Sequence, residues 1–152
     1  MTTTIHDFDA FFREAEPRLR RAYGGRVAPQ HVGDAVGAAM EFAWKNWDRV
    51  AVMEYPVPYL FRVGLSKSRR RKQGRLPASP PRHDISYVEP ALISSMQQLP
   101  RRQREVVWLV EACEWTPTET AEALGLSLSA VRTHRSRGLD SLRQHLGVDI
   151  NA

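Results

Sequence analysis

Ser129, Arg132, Thr133, Arg135, Ser136 and Arg137 crowd into one short stretch of the chain. A guanidinium donates in a planar fork that fits a guanine edge or a phosphate, and hydroxyls add short donors and acceptors. Such a set can recognise a polyanion without making or breaking a bond. Acid and base chemistry is poorly provided for. Glu111 with Glu114, and Glu119 with Glu122, stand one turn apart and could pair as acid and base, but carboxylates so spaced are usually solvated helix faces. The five histidines, His6, His31, His83, His134 and His145, lack a HisXaaXaaXaaHis spacing or a cysteine pair beside them, so no metal box stands out. Cys113 is the single cysteine; without a basic neighbour to lower its pKa it reads as a structural thiol, and alone it closes no intrachain disulfide. With no glycine-rich phosphate loop and no Ser-centred nucleophile elbow, the residues argue against an enzyme and call for no cofactor and no metal.

The arginines need a scaffold that presents them outward, and Pro117 to Leu146 supplies one. Thr116 or Thr118 can cap a first helix that accepts Pro117 in its opening turn and carries Glu119 and Glu122 near its positive end. Ala121, Leu124 and Leu126 form its apolar spine. Counted from Pro117, a small residue (Ala121), a glycine (Gly125) and an aliphatic (Val131) fall where a helix-turn-helix needs a close crossing, a turn and a buried side chain. Ser127 or Ser129 can cap the second helix, whose Val131, Leu139 and Leu142 face inward while the arginines stay on or near the other faces. A plain helical hairpin with solvated arginines shares this pattern, so the signal is the combination and no single member of it.

The totals agree with a polyanion as partner. The chain has 152 residues, 22 Lys plus Arg against 17 Asp plus Glu and a net charge of +5, with a pI of about 9.9. This length suits one ordinary domain or two small ones. The N-terminal MTTTIHDFDAFF lacks the pattern of a secretory signal, and no apolar run approaches the roughly 20 residues that span a bilayer. The expected location is the cytoplasm.

Apolar periodicity predicts helices along most of the chain. Phe8, Phe11, Phe12, Ala15, Leu19, Ala22 and Tyr23 recur at helical spacing, with Asp7 as cap and Pro17 as a kink or restart. Val32, Ala35, Val36, Ala39, Met40, Ala43, Trp44 and Trp47 make the most regular stripe. Pro58 suits the first turn of a third helix through Tyr59, Leu60 and Val63 into a run of five basic residues between Arg69 and Arg75, whose mutual repulsion nearby phosphates would relieve. A solvated helix C-terminus is the plain alternative. LPASPPRHDISYVEP, proline-rich and aperiodic, reads as a linker. Beyond it Val106, Val107, Leu109 and Val110 supply a second core, with Trp108 and Trp115 as packing.

Laid out in this order, the chain resembles a bacterial RNA polymerase sigma factor of the small, extracytoplasmic-function type in the sigma-70 superfamily. The resemblance rests on LPRRQREVVWL, TETAEALGLS and VRTHRSRGLDSLR in the second half, and on VGDAVGAAMEFAW and VPYLFRVGLSKSRRR in the first. It implies an all-α fold of two small helical domains: a helical bundle over 1–73, a linker over 74–90, and a helix-turn-helix domain over 91–152. It also implies a protein that binds core RNA polymerase and holds promoter DNA at two elements, under control of an anti-sigma factor. Arg132, Thr133, Ser136 and Ser129 would meet base edges of the upstream element, while Arg135, Arg137 and Arg101 or Arg102 would hold phosphates. Tyr59, Arg62, Ser66, Lys67, Arg69, Arg70 and Arg71 would meet the opened downstream element, although Tyr59 also fits a core aromatic. Asp34, Gly37, Ala38 and Glu41 would lie on the polymerase-binding helix. There Asp34 and Val36 keep the family pattern, and Gly37 and Ala38 stand in place of its Gln and Glu. Ser66 replaces an Asn, and Arg135 occupies a position more often apolar, so it either points to phosphate or marks unusual packing. A sigma-derived DNA-binding regulator that has lost core polymerase is the alternative reading.

Overall fold

The structure, a computed structural model, describes residues 4–72 and 90–147, with side chains from 7 to 68 and from 91 to 147. The expected linker therefore lies outside the described residues except at Pro90, which opens a helix one residue before the anticipated boundary. The chain divides into two compact helical units.

The first unit contains α1 (Thr4–Gly24), α2 (Pro29–Lys45), the short α3 (Trp47–Val50) and α4 (Pro56–Lys72). Pro17 neither kinks α1 into two elements nor restarts it. Pro17 and Arg13 are both exposed, so water can take the carbonyl that the missing N–H leaves free. Asp7 likewise lies in the first turn and is not the cap. α2 starts at Pro29, three residues before the apolar stripe, because a proline at the first helical position forfeits no intrahelical bond. It stops at Lys45, short of Trp47, where Asn46 leaves helical geometry and its amide donates back to the Phe42 carbonyl at 3.0 Å. Trp44, edge-on to Phe8 at 5.0 Å, is 54% exposed, and Trp47 belongs to the next element.

α2 packs on both α1 and α4. Ala15, Leu19, Ala22 and Tyr23 meet Ala35, Ala39, Ala43, Leu60 and Phe61 in the buried core. Tyr23 stacks on Phe61 with ring centroids 5.0 Å apart, and its hydroxyl donates to the carbonyls of Leu60 and Phe61 at 3.1 and 3.0 Å. Burial pushes its ionisation far above the ordinary tyrosine range. Gly64 makes this crossing possible: a Cβ there would overlap the Tyr23 hydroxyl and stand 2.7 Å from the Ala35 carbonyl oxygen.

The second half of the chain contains α5 (Pro90–Gln98), α6 (Arg101–Val107), a π-turn (Trp108–Ala112), α7 (Pro117–Leu124) and α8 (Leu128–Leu146). α5 and α6 pack against α8, and Leu99, Val107 and Leu142 form a buried cluster flanked by Leu92, Met96 and Leu139. Gly138 lets α8 approach α6 closely, since a Cβ there would stand 2.6 Å from a Val107 methyl. Val106 and Leu109 are buried as expected, whereas Val110 is only half-buried.

Candidate nucleic-acid interface

The arginine-bearing helix is held by two caps and a turn. Thr116 caps α7: its side chain accepts from the Glu119 amide at 3.1 Å, and the Glu119 carboxylate accepts from the Thr116 amide at 3.1 Å. This reciprocal pair satisfies two N–H groups with no helical partner. Glu119 is thus occupied in capping and is not half of an acid and base pair with Glu122. Thr120 is fully buried because its hydroxyl donates to the Thr116 carbonyl at 2.9 Å and turns its methyl inward. With Ala123 it forms the buried side of α7, and the expected spine of Ala121, Leu124 and Leu126 is only half-buried.

Gly125 ends α7 at φ +66°, a left-handed conformation that glycine adopts without steric cost. Its amide and that of Leu126 both return to the Ala121 carbonyl. Ser127 then caps α8, accepting from the Ala130 amide at 3.1 Å and leaving Ser129 exposed beside it, hydroxyl oxygens 3.2 Å apart. Val131, Gly138 and Leu142 bury one side of α8.

Arg132, Thr133, Ser136 and Arg137 are all exposed. At 100° per residue they lie between roughly 100° and 240° round the axis from Val131, facing away from the core. Arg135 differs. It sits only roughly 40° from Val131, and its Nε donates to Glu111 Oε1 at 2.5 Å, an ion pair between α8 and the π-turn. A position that is more often apolar in the family thus carries an exposed ion pair. The π-turn also breaks the one-turn register read between Glu111 and Glu114.

Arg101 and Arg102, exposed at the start of α6, share one carboxylate. Arg101 Nε and Arg102 Nη1 donate to the two oxygens of Glu105 at 3.0 and 3.2 Å, and Glu105 is only 7% exposed. Glu105 lies three and four residues beyond the two arginines, so helical spacing alone could have revealed it. Nothing in the sequence links Glu111 to Arg135, which are 24 residues apart.

In the first unit Tyr59, Arg62 and Ser66 fall at helical i, i+3 and i+7 positions of α4, with Arg62 and Ser66 exposed and Tyr59 half-buried. Tyr59 packs tilted on Phe42 at 5.9 Å, and the Lys67 ammonium lies 5.3 Å from the same ring. Phe42, absent from the sequence reading, thus orders two of the expected contacts. Arg69, Arg70 and Arg71 extend α4, but their side chains lie outside the described residues. On α2, Asp34, Gly37 and Glu41 are exposed on one face, with Glu41 bound to Lys45 at 2.7 Å. Ala38, expected beside them, is 3% exposed and is withdrawn from that face because its methyl packs inward.

Among the described residues no group of three or more His, Cys, Asp or Glu side chains is placed to hold a metal, and no helix is long and apolar enough to cross a membrane.

The family model for sigma-70 region 4 matches residues 90–142, from the start of α5 into α8. Among solved structures, the sigma factor RpoE of Bartonella quintana in complex with the anti-sigma factor NepR superposes with a TM-score of 0.72 at 22% identity, over 94% of this chain and 98% of that one. CnrH in complex with the cytosolic domain of CnrY gives a TM-score of 0.66 at 26% identity, over 93% of this chain and 88% of that one. No curated protein sequence is a significant match. Residues 90–142, from α5 into α8, thus match sigma-70 region 4, and the chain as a whole shares the fold of these two structures.

Proposed function

We propose that the chain is a sigma factor of the extracytoplasmic-function type, which binds core RNA polymerase and directs initiation at promoters whose upstream element is read by α8 and whose downstream element is opened against α4. The observation that carries this reading is the outward face of α8. Arg132, Thr133, Ser136 and Arg137 stand exposed on a helix fixed by the Gly125 turn and the Ser127 cap, which is the arrangement a major-groove helix needs. Arg132 serves as the base reader and Arg137 as a phosphate ligand, with Ser129 at the helix start and Arg101 and Arg102 along the flank. Tyr59, Arg62, Ser66 and Lys67, with Arg69 to Arg71 behind them, offer stacking and charge to a single strand. Asp34, Gly37 and Glu41 form the polymerase face. The partners are core polymerase, promoter DNA and an anti-sigma factor, the site of action is the cytoplasm, and neither cofactor nor metal takes part.

Arg132→Ala is expected to lose promoter-directed transcript from purified core polymerase by the equivalent of about 1 to 3 kcal/mol, while binding to random DNA falls much less. Equal losses on all sequences remove Arg132 from base reading. One observation favours a second reading, a DNA-binding regulator without polymerase: Gly37 leaves open space in the middle of the α2 face. Sequence-specific DNA binding with no association to core enzyme in the same assay selects that reading.

A further inference from the structure

We propose that Glu111 is a specificity-determining residue of the second domain: by pairing with Arg135 it withholds one guanidinium from DNA phosphates and so limits binding to unselected sequence. This inference rests on reading α8 as a DNA-contacting helix. Arg135 lies within one turn of Arg132, Ser136 and Arg137 on the same helix, close enough for its long side chain to reach a backbone phosphate that follows α8. A phosphate and the Glu111 carboxylate offer the guanidinium the same chemistry, two anionic oxygens in one plane, and the protein supplies its own copy at 2.5 Å.

The geometry that brings Glu111 there is local. The π-turn inserts an extra residue at Trp108–Ala112, Cys113 closes it through its amide to the Trp108 carbonyl, and Glu114 reverses the chain at φ +58°. Glu111 thereby crosses to α8 instead of joining the exposed face of an uninterrupted helix. The pair stays accessible, with side chains 46% and 39% exposed for Arg135 and Glu111, so it neutralises Arg135 without fixing the fold. Arg135 removed from the phosphate contacts leaves base-reading Arg132 and its neighbours a larger share of the total affinity, and a larger share means a higher ratio of specific to non-specific binding.

The test uses the full chain, a random-sequence DNA duplex followed by fluorescence anisotropy across a salt series, and elution from immobilised heparin. Glu111→Gln keeps the shape and removes the charge. It is expected to steepen the slope of log affinity against log salt by about 0.9, the value of one added phosphate contact, and to raise the salt needed for heparin elution. Arg135→Gln leaves the slope within experimental error of the parent, and the double variant matches Arg135→Gln. Glu114→Gln makes the same change of net charge three residues away and is expected to move the slope by far less. A slope unchanged in Glu111→Gln, an equal response in Glu114→Gln, or a slope that already falls by one unit in Arg135→Gln overturns the proposal. Loss of the reading of α8 itself has a different signature: Arg137→Ala, which removes a phosphate ligand, then binds the duplex as the parent does.

Discussion

Gly64 and Gly138 hold matching places in the two domains, each where a helix comes too near its neighbour for a Cβ, yet what they touch differs in stiffness. Gly64 faces the Tyr23 hydroxyl and the Ala35 backbone carbonyl, groups fixed by two hydrogen bonds and a helix. Gly138 faces a Val107 methyl at 2.6 Å, while the Gln103 Cβ and carbonyl oxygen stand farther off at 3.4 Å. The first domain is keyed around a buried polar contact, and the second is packed around aliphatic groups that can yield. The two domains thus reach the same close packing by different means.

Substitution at the two glycines separates these designs most strongly. Gly64→Ala must displace the tyrosine or the backbone, and it adds overpacking to the loss of two buried hydrogen bonds, a cost of about 3 kcal/mol or more. Gly138→Ala has only to shift a methyl, and the better helix propensity of alanine offsets part of the strain, leaving about 1 kcal/mol. Urea unfolding followed by NMR signals from each domain measures both. Equal costs at the two sites contradict the distinction between a keyed and a yielding crossing.

Alkali sharpens the same contrast. Tyr23 carries its proton in the folded state well above its ordinary value of 10.0 because burial disfavours the phenolate. Its folded pKa lies above the unfolded one, so its contribution is intact below pH 10 and declines as pH rises beyond that, by about 1.4 kcal/mol per pH unit. The first domain is therefore expected to lose stability under alkali from Tyr23. The described part of the second domain contains no tyrosine. Tyr23→Phe abolishes the decline while lowering stability at neutral pH by about 1 kcal/mol through the lost hydrogen bonds. A decline in the first domain that persists unchanged in Tyr23→Phe assigns it to other groups.

Local grammar made the helices and the helix-turn-helix readable in the sequence. The Thr116 and Ser127 caps, the Gly125 turn and the exposed Arg132, Thr133, Ser136 and Arg137 follow from residue types and short spacings, whose physics acts within one or two turns. What failed to show was set by contacts distant in sequence or by solvent. Pro17 is harmless because it faces water, and Ala38 is buried because a methyl fits where the helices meet. Thr120 enters the core because its hydroxyl has a partner one turn back. The Glu111 and Arg135 pair needed the π-turn, which no periodicity announces, and Gly64 looked like any helical glycine until Tyr23 stood opposite.

Glu114 offers the smallest and most local test of how far the second domain yields. It is the one non-glycine residue at positive φ among the described residues, at +58°, and it joins the π-turn to the buried Trp115. An L-residue held there carries strain of about 1 to 2 kcal/mol, while glycine relieves it but gives the unfolded chain more freedom, an opposing effect of about 0.5 to 1 kcal/mol. Glu114→Gly is therefore expected to stabilise the second domain by about 0.5 kcal/mol and to leave the first unchanged. If the substitution instead destabilises the second domain, the side chain of Glu114 holds the turn, and the π-turn is maintained by more than the packing of Leu109 and Trp115.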